Sequence, residues 1–224
     1  MKTILLDIDD TILDFHECAK ATILRASEDF GVDFTDEMLA YYMEQNAFLW
    51  GQYEKGIITR EDIFRTRFPM LFKEYGYDVD GIEFENAFQK YFKTQYKFVN
   101  GAVELVEYLA SKYDLYVASN SLHSTQVSRL TSAGLYHHFK DLFVSDAIGY
   151  QKPTKEFFEG CFCKIQNFNR NEAIIIGDSL SSDIKGGCNA GIKTCWFNPK
   201  KLENNTEYKA DYEITSLDEI KNIL

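Results

Sequence analysis

Residues 4–15 read ILLDIDDTILDF, an apolar run that leads directly into three carboxylates, Asp7, Asp9 and Asp10, within four positions. Crowded carboxylates repel one another, and folding gains nothing from gathering them unless a cation or a proton sits among them. In extended chain Asp7 and Asp9 point to the same side and Asp10 to the other. Further along stand Ser119-Asn120-Ser121, a lysine before a proline at Lys152-Pro153, and Gly177-Asp178 with Asp183 five residues on. Asp7 and Asp9 together with Asp178 supply hard oxygen ligands of the kind magnesium takes, with waters and a substrate phosphate completing an octahedron. The residue before a proline avoids helical geometry, so Lys152 is expected in an extended loop, with Pro153 opening the next helix.

These residues follow a regular pattern of elements. Continuous apolar runs at 3–6, 115–118, 142–144, 173–176 and 193–197 each lead toward a helix-like segment, and 210–214 reads as an edge strand. Strands of this kind alternating with helices argue an α/β fold, a doubly wound parallel sheet covered on both faces. In such a sheet ligands sit beyond the carboxyl ends of the strands, where Asp7, Ser119 and Asp178 fall. Helices are expected over 102–111, from 123 or 124 to 133, from about 180 to Gly191, and from Ser216 to the end, while LFVSD at 142–146 is expected to run into a plain loop. Between the first strand and Asn100 the pattern is purely helical, with segments near 16–30, 36–51, 59–75 and 81–97 started by Thr35 and Thr59. One helix suffices for a βα connection, so the excess is an inserted helical module. The expected domains are a core of 1–14 with 99–224 and an insert of 15–98. Seven aromatic residues of the insert, Phe48, Trp50, Tyr53, Phe64, Phe68, Phe72 and Tyr75, fall at helical spacing; most are expected to form its core, with one or two left that could stack on a base.

Composition limits the partners. A net charge of −11 argues against a nucleic-acid polymer or an anionic membrane, both of which need broad basic surfaces. No apolar run is long enough to span a bilayer, and the chain passes from Met1-Lys2 straight into a strand, so neither a membrane span nor a signal peptide is expected and the protein is placed in the cytoplasm. The five cysteines contain no CxxC pair, which suits buried free thiols rather than a disulfide framework or a zinc site.

The DxDxT of Asp7 to Thr11, the strand-end Ser119, the Lys152-Pro153 pair and the GDxxxxD of Gly177 to Asp183 occur in one order, each after its expected strand. In these motifs the sequence resembles the haloacid dehalogenase-like superfamily, in its phosphatase branch. DIDDTILDF, GDSLSSDIKGG and NAGIKTCWFNP are similar to the noncanonical pyrimidine nucleotidases within it, the YjjG-like group. The resemblance implies a Rossmann-like core with a helical cap, a small phosphomonoester substrate, Mg2+ as cofactor and an aspartyl-phosphate intermediate, with a pyrimidine nucleoside 5'-monophosphate as the best substrate. Asp7 would be the nucleophile. Asp9 would protonate the leaving oxygen and later activate water, for which it must hold a proton in the substrate complex, a state that crowding by neighbouring carboxylates favours. Asp7, the backbone carbonyl of Asp9 and Asp178 would hold the metal, with Asp183 acting through water or as an orienting group. Ser119 and the Asn120 backbone N–H would grip the phosphate, and Lys152 would neutralise it together with Asp7. Dehalogenases of the superfamily lack the second acidic residue of the first motif, so Asp9 argues against that reaction. A sugar phosphomutase or sugar-phosphate phosphatase remains the alternative, and a non-enzymatic phospho-receiver fits neither the length nor the insert.

Overall fold

The computed structural model describes all residues from Met1 to Leu224. Two compact units are present: Met1–Phe15 with Tyr96–Leu224, and His16–Gln95. In chain order the elements are β1 (Thr3–Leu6), α1 (Phe15–Phe30), α2 (Asp36–Glu54), α3 (Arg60–Glu74), α4 (Gly81–Phe92), α5 (Ala102–Lys112), β2 (Asp114–Ser119), α6 (His123–Ser132), β3 (Asp141–Val144), α7 (Ser145–Ile148), α8 (Lys155–Phe162), β4 (Ala173–Gly177), α9 (Lys185–Ala190), β5 (Lys193–Phe197) and β6 (Tyr212–Ile214).

All six strands are parallel in the order β3-β2-β1-β4-β5-β6, which is the doubly wound α/β arrangement expected of the sequence. Side chains alternate between two separate cores. Ile4, Leu6, Val117, Ile174 and Ile176 pack on one face with Leu105, Val106 and Leu109 of α5 and Leu130 of α6. Leu5, Tyr116, Ala118 and Ile175 pack on the other with Phe157, Phe158 and Phe162 of α8 and Ala190 of α9. Ile4, Leu5 and Leu6 are fully buried. Each such side chain contributes roughly 1.5–3 kcal/mol, enough to hold β1 rigidly in the middle of the sheet.

The helical unit starts its helices where its capping residues stand. Thr35 accepts from the Met38 N–H, Thr59 and Asp62 form a reciprocal capping box, and Asp80 accepts from the Ile82 and Glu83 N–H groups. Its core is aromatic, with Tyr42, Phe68, Phe72, Phe84 and Phe88 almost wholly buried. Buried among these rings, Arg67 forms a two-pronged ion pair with Glu85, both contacts 2.7 Å, and donates to Asn46 at 2.9 Å.

Several expectations need correction. α4 stops at Phe92 rather than near residue 97, because Phe98 pairs with Leu13 and the Lys97 carbonyl accepts from the Asp14 N–H. This backbone pairing overrides helical propensity in the returning chain. The segment after β3 is the short helix α7, not a plain loop. Thr154, not Pro153, begins α8: its hydroxyl accepts from the Phe157 N–H, so the proline lies just outside the helix. A π-helical turn, Leu180–Ile184, precedes α9, and the C-terminal segment is a 3-10 helix over Leu217–Asn222. Of the free cysteines, Cys163 and Cys188 are exposed, and Phe48 is exposed rather than part of the insert's core.

Candidate active site

Leu6 pairs with Val117 on one side and Ile176 on the other, so Asp7, Ser119 and Asp178 emerge from three adjacent strand ends. The Asp7 N–H donates to the Ile176 carbonyl at 3.0 Å, fixing the backbone where the ladder ends. Lys152 reaches this point from the loop between α7 and α8. Its Nζ lies 2.6 Å from each of three acceptors: Asp7 Oδ1, Asp183 Oδ1 and the Ala118 carbonyl. The loop is clamped from β2, since Asn120 Oδ1 accepts from the Lys152 N–H at 2.8 Å while Asn120 Nδ2 donates to the Lys152 carbonyl at 3.0 Å.

Asp183 is fully buried and uses both oxygens within the protein, one toward Lys152 and the other accepting from the Ser179 N–H at 3.1 Å. The π-helical turn turns this carboxylate inward. Gly177 makes room for it, because a Cβ there would stand 2.2 Å from Asp183 Oδ2. The glycine of the GDxxxxD motif is thus a space requirement. Asp178 is held from its backbone, its carbonyl accepting from Trp196 Nε1 of β5 at 2.8 Å.

One ligand oxygen from each of Asp7, Asp178 and Asp183 lies within 4.8 Å of the other two. Against these three buried or half-buried carboxylates stands a single ammonium, that of Lys152, which leaves two negative charges in excess when all three are ionised. Burial raises Asp7 to about 8, with the charges of Asp183 and Asp9 adding to the effect and Lys152 opposing it. Burial also holds Asp178 well above the usual carboxylate range, reinforced by Asp7 and Asp183. Burial alone would push Lys152 down, but Asp183 and Asp7 overcome it and hold the ammonium above its ordinary value. Hard oxygen donors with a deficit of two positive charges fit a divalent cation such as magnesium.

Asp9 has a different environment from the one expected. Its neighbours are donors rather than other carboxylates: Arg129 Nη1 is 2.5 Å from Oδ1 and Gln126 Nε2 is 2.8 Å from Oδ2. Gln126 Nε2 also donates to Ser119 Oγ at 3.1 Å, and Ser119 Oγ accepts from the Ser121 N–H at 3.2 Å. Asp10 turns away and caps the entry to α1 by accepting from the Phe15 N–H at 2.9 Å. The structure therefore gathers Asp7, Lys152, Asp178 and Asp183 at one point, with Ser119 and Asp9 joined through Gln126. Gln126, Arg129, Trp196 and the side-chain role of Asn120 were not anticipated. The only sequence signal for Gln126 and Arg129 was their three-residue spacing beside Leu130, which puts them on the buried side of α6.

A strand-end aspartate in contact with a buried ammonium, beside further carboxylates suited to a metal ion, marks a candidate active site at the strand ends of an α/β fold. The haloacid dehalogenase-like hydrolase model matches residues 4–197, and the chain belongs to that family. It is 43% identical over 223 residues to the HAD-hydrolase YfnB of Bacillus subtilis, covering 100% of this chain and 95% of that protein. It is 35% identical over 229 residues to the pyrimidine 5'-nucleotidase PynA of Streptococcus pneumoniae, with 100% and 97% covered. To the pyrimidine 5'-nucleotidase YjjG of Escherichia coli it is 28% identical over 221 residues, with 99% and 96% covered. A crystal structure of YfnB bound to magnesium superposes with a TM-score of 0.95 at 41% identity, covering 100% of this chain and 98% of that one.

Proposed function

We propose that the protein is a magnesium-dependent phosphomonoester hydrolase that works through an aspartyl-phosphate on Asp7, with pyrimidine nucleoside 5'-monophosphates as its substrates. The observation that carries this reading is the Lys152 ammonium, held 2.6 Å from both Asp7 and Asp183 in a buried cluster of carboxylates. The pyrimidine nucleotidases among its relatives support the substrate class. No helix is long and apolar enough to cross a membrane, and we place the enzyme in the cytoplasm. In this reading the helical unit is the family's cap domain, 15–98 in the sequence-based division.

Asp7, Asp178 and the Asp9 backbone carbonyl would hold the cation, with Asp183 orienting Lys152 rather than spending an oxygen on the metal. When bound, magnesium supplies charge neutralisation for the phosphate oxygens. In the first transfer an oxygen of Asp7 attacks phosphorus, while Asp9 delivers a proton to the departing alkoxide. Lys152 compensates the charge that develops on the phosphoryl group, and Ser119 with the Asn120 N–H grips its oxygens. In the second transfer water displaces Asp7 and Asp9 receives the proton.

The test is phosphate release from a panel of nucleotides, sugar phosphates and p-nitrophenyl phosphate, with magnesium and with chelator. Preference for pyrimidine monophosphates, abolished by chelator and by Asp7→Asn, is expected. Activity confined to sugar phosphates would remove the nucleotide assignment, and no release from any phosphomonoester would overturn the reaction class.

A further inference from the structure

Asp9 is the one acidic residue of the cluster whose partners lie on a helix rather than on a strand end or motif loop. Each of its carboxylate oxygens has its own donor, Arg129 Nη1 at 2.5 Å and Gln126 Nε2 at 2.8 Å, both from α6. The two donors are tied to each other, since Gln126 Oε1 accepts from Arg129 Nη1 at 3.3 Å. Both are fully buried, whereas the Asp9 side chain is 29% exposed. A buried guanidinium is costly, and an apolar residue of similar volume often stabilises a fold as well or better. Stability alone therefore does not account for an arginine at 129. A carboxylate gripped at both oxygens cannot rotate without losing two hydrogen bonds, at least one of them charge-assisted. Its open side faces solvent, and the two donors fix the direction in which its oxygens point.

We propose that Arg129 is a positioning residue for the second half of the reaction: with Gln126 it holds Asp9 as the acceptor for the water that frees Asp7. The proposal rests on the aspartyl-phosphate reading above. In the step it serves, the water oxygen bonds to phosphorus and the Asp7 Oδ–P bond breaks, its electron pair returning to the Asp7 carboxylate. One water proton passes to the Asp9 carboxylate and from there to solvent, and inorganic phosphate departs. The link from Gln126 to Ser119 at 3.1 Å ties this acceptor to the strand end proposed to hold the phosphate.

The test uses the full chain with magnesium, a pyrimidine nucleoside monophosphate and p-nitrophenyl phosphate. For both substrates kcat/KM reports the steps up to phosphorylation of Asp7, while kcat includes its hydrolysis. Arg129→Met is expected to lower kcat roughly tenfold or more, a part of the ~10²–10⁴-fold that positioned proton transfer contributes, with a much smaller change in kcat/KM. Rapid quench should then show a burst of the alcohol product approaching one equivalent and a phosphoenzyme that persists, and Arg129→Lys should restore most of kcat. Equal losses in kcat and kcat/KM without a burst would mean that Arg129 only supports the fold, and would overturn the proposal. A crystal structure of Arg129→Met reads the positioning apart from activity: Asp9 must leave its Gln126 contact, and an unmoved Asp9 also overturns it. If Arg129→Met does not fold, Gln126→Leu removes the second arm and is read by the same burst. Failure of the parent reading has a separate signature, a wild-type enzyme that never carries phosphate on Asp7.

Discussion

Replacing Lys152 with alanine separates what the ammonium does for the fold from what it does for the chemistry. The substitution deletes three contacts of 2.6 Å at once, to Asp7, Asp183 and the Ala118 carbonyl. Asp183, fully buried, keeps only the Ser179 N–H. Breaking a buried ion pair by removing one partner costs about 3–5 kcal/mol, because the other charge is left uncompensated. In a chain of this size that corresponds to a fall in Tm of roughly 6–20 °C. Magnesium among Asp7, Asp178 and Asp183 would return part of the missing positive charge, so the variant should gain more Tm from added magnesium than the wild type does. The catalytic loss is a second, independent number. Removing one preorganised group that stabilises developing charge costs roughly 10²–10³ in rate, and phosphoryl transfer depends on such groups almost entirely. Calorimetry with and without magnesium, and kcat/KM on p-nitrophenyl phosphate, measure the two effects. A loss of kcat/KM below about tenfold would show that Lys152 does not face the transferring phosphoryl group, and an unchanged Tm would refute the buried-pair argument.

Three further outcomes follow from the same geometry. Asp9→Asn should still bind a phosphate ester but turn it over far more slowly, and unchanged turnover would contradict the proton-transfer role proposed for Asp9. Gly177→Ala forces a Cβ to within 2.2 Å of Asp183 Oδ2; the overpacking should cost about 1–3 kcal/mol and carry Asp183 away from Lys152, with a loss of kcat that no surface glycine substitution produces. In the metal-free protein Asp7 holds its proton up to about 8 against an ordinary value of 3.8, and Asp178 is raised in the same sense. The folded state is then the stronger proton binder between those values, so metal-free stability should fall as pH rises from about 4 to about 8. Denaturant titrations in chelator and in magnesium check this, since the gain from magnesium should grow with pH across the window; an equal gain at both ends would place the ion elsewhere.

What the sequence reveals and hides has a physical basis. A strand of a doubly covered parallel sheet is apolar throughout, so the end of each apolar run marks the point where the backbone meets the ligand, and Asp7, Ser119 and Asp178 were legible for that reason. Helix starts in the insert were legible because Thr35 and Thr59 act on their own next turn. Contacts that depend on how an element rolls against its neighbour were not. Gln126 and Arg129 look like ordinary polar residues of a surface helix, and only the packing of α6 turns them onto Asp9. The Asn120 side chain likewise looks like part of a phosphate loop, yet it grips the Lys152 backbone 32 residues away. The end of α4 was misjudged because a partner at Leu13, remote in sequence, ends it.

The four carboxylates divide into two groups with different charge balance, and that division bears on why the first motif needs both of its aspartates. Asp7, Asp178 and Asp183 share one ammonium, so once ionised they carry excess negative charge, which suits a site proposed to take a cation and then an anionic ester together with it. Asp9 is paired with the Arg129 guanidinium, so it adds little to the charge that a bound cation would balance. Were Arg129 absent, Asp9 would join the excess negative charge, and repulsion from Asp7 would oppose the approach of a phosphate to both. The arginine on α6 therefore lets a second carboxylate stand two residues from Asp7 without weakening the attraction for the anionic ester proposed as substrate. Charge compensation at residue 129 and the proton handling proposed for residue 9 are two aspects of one arrangement.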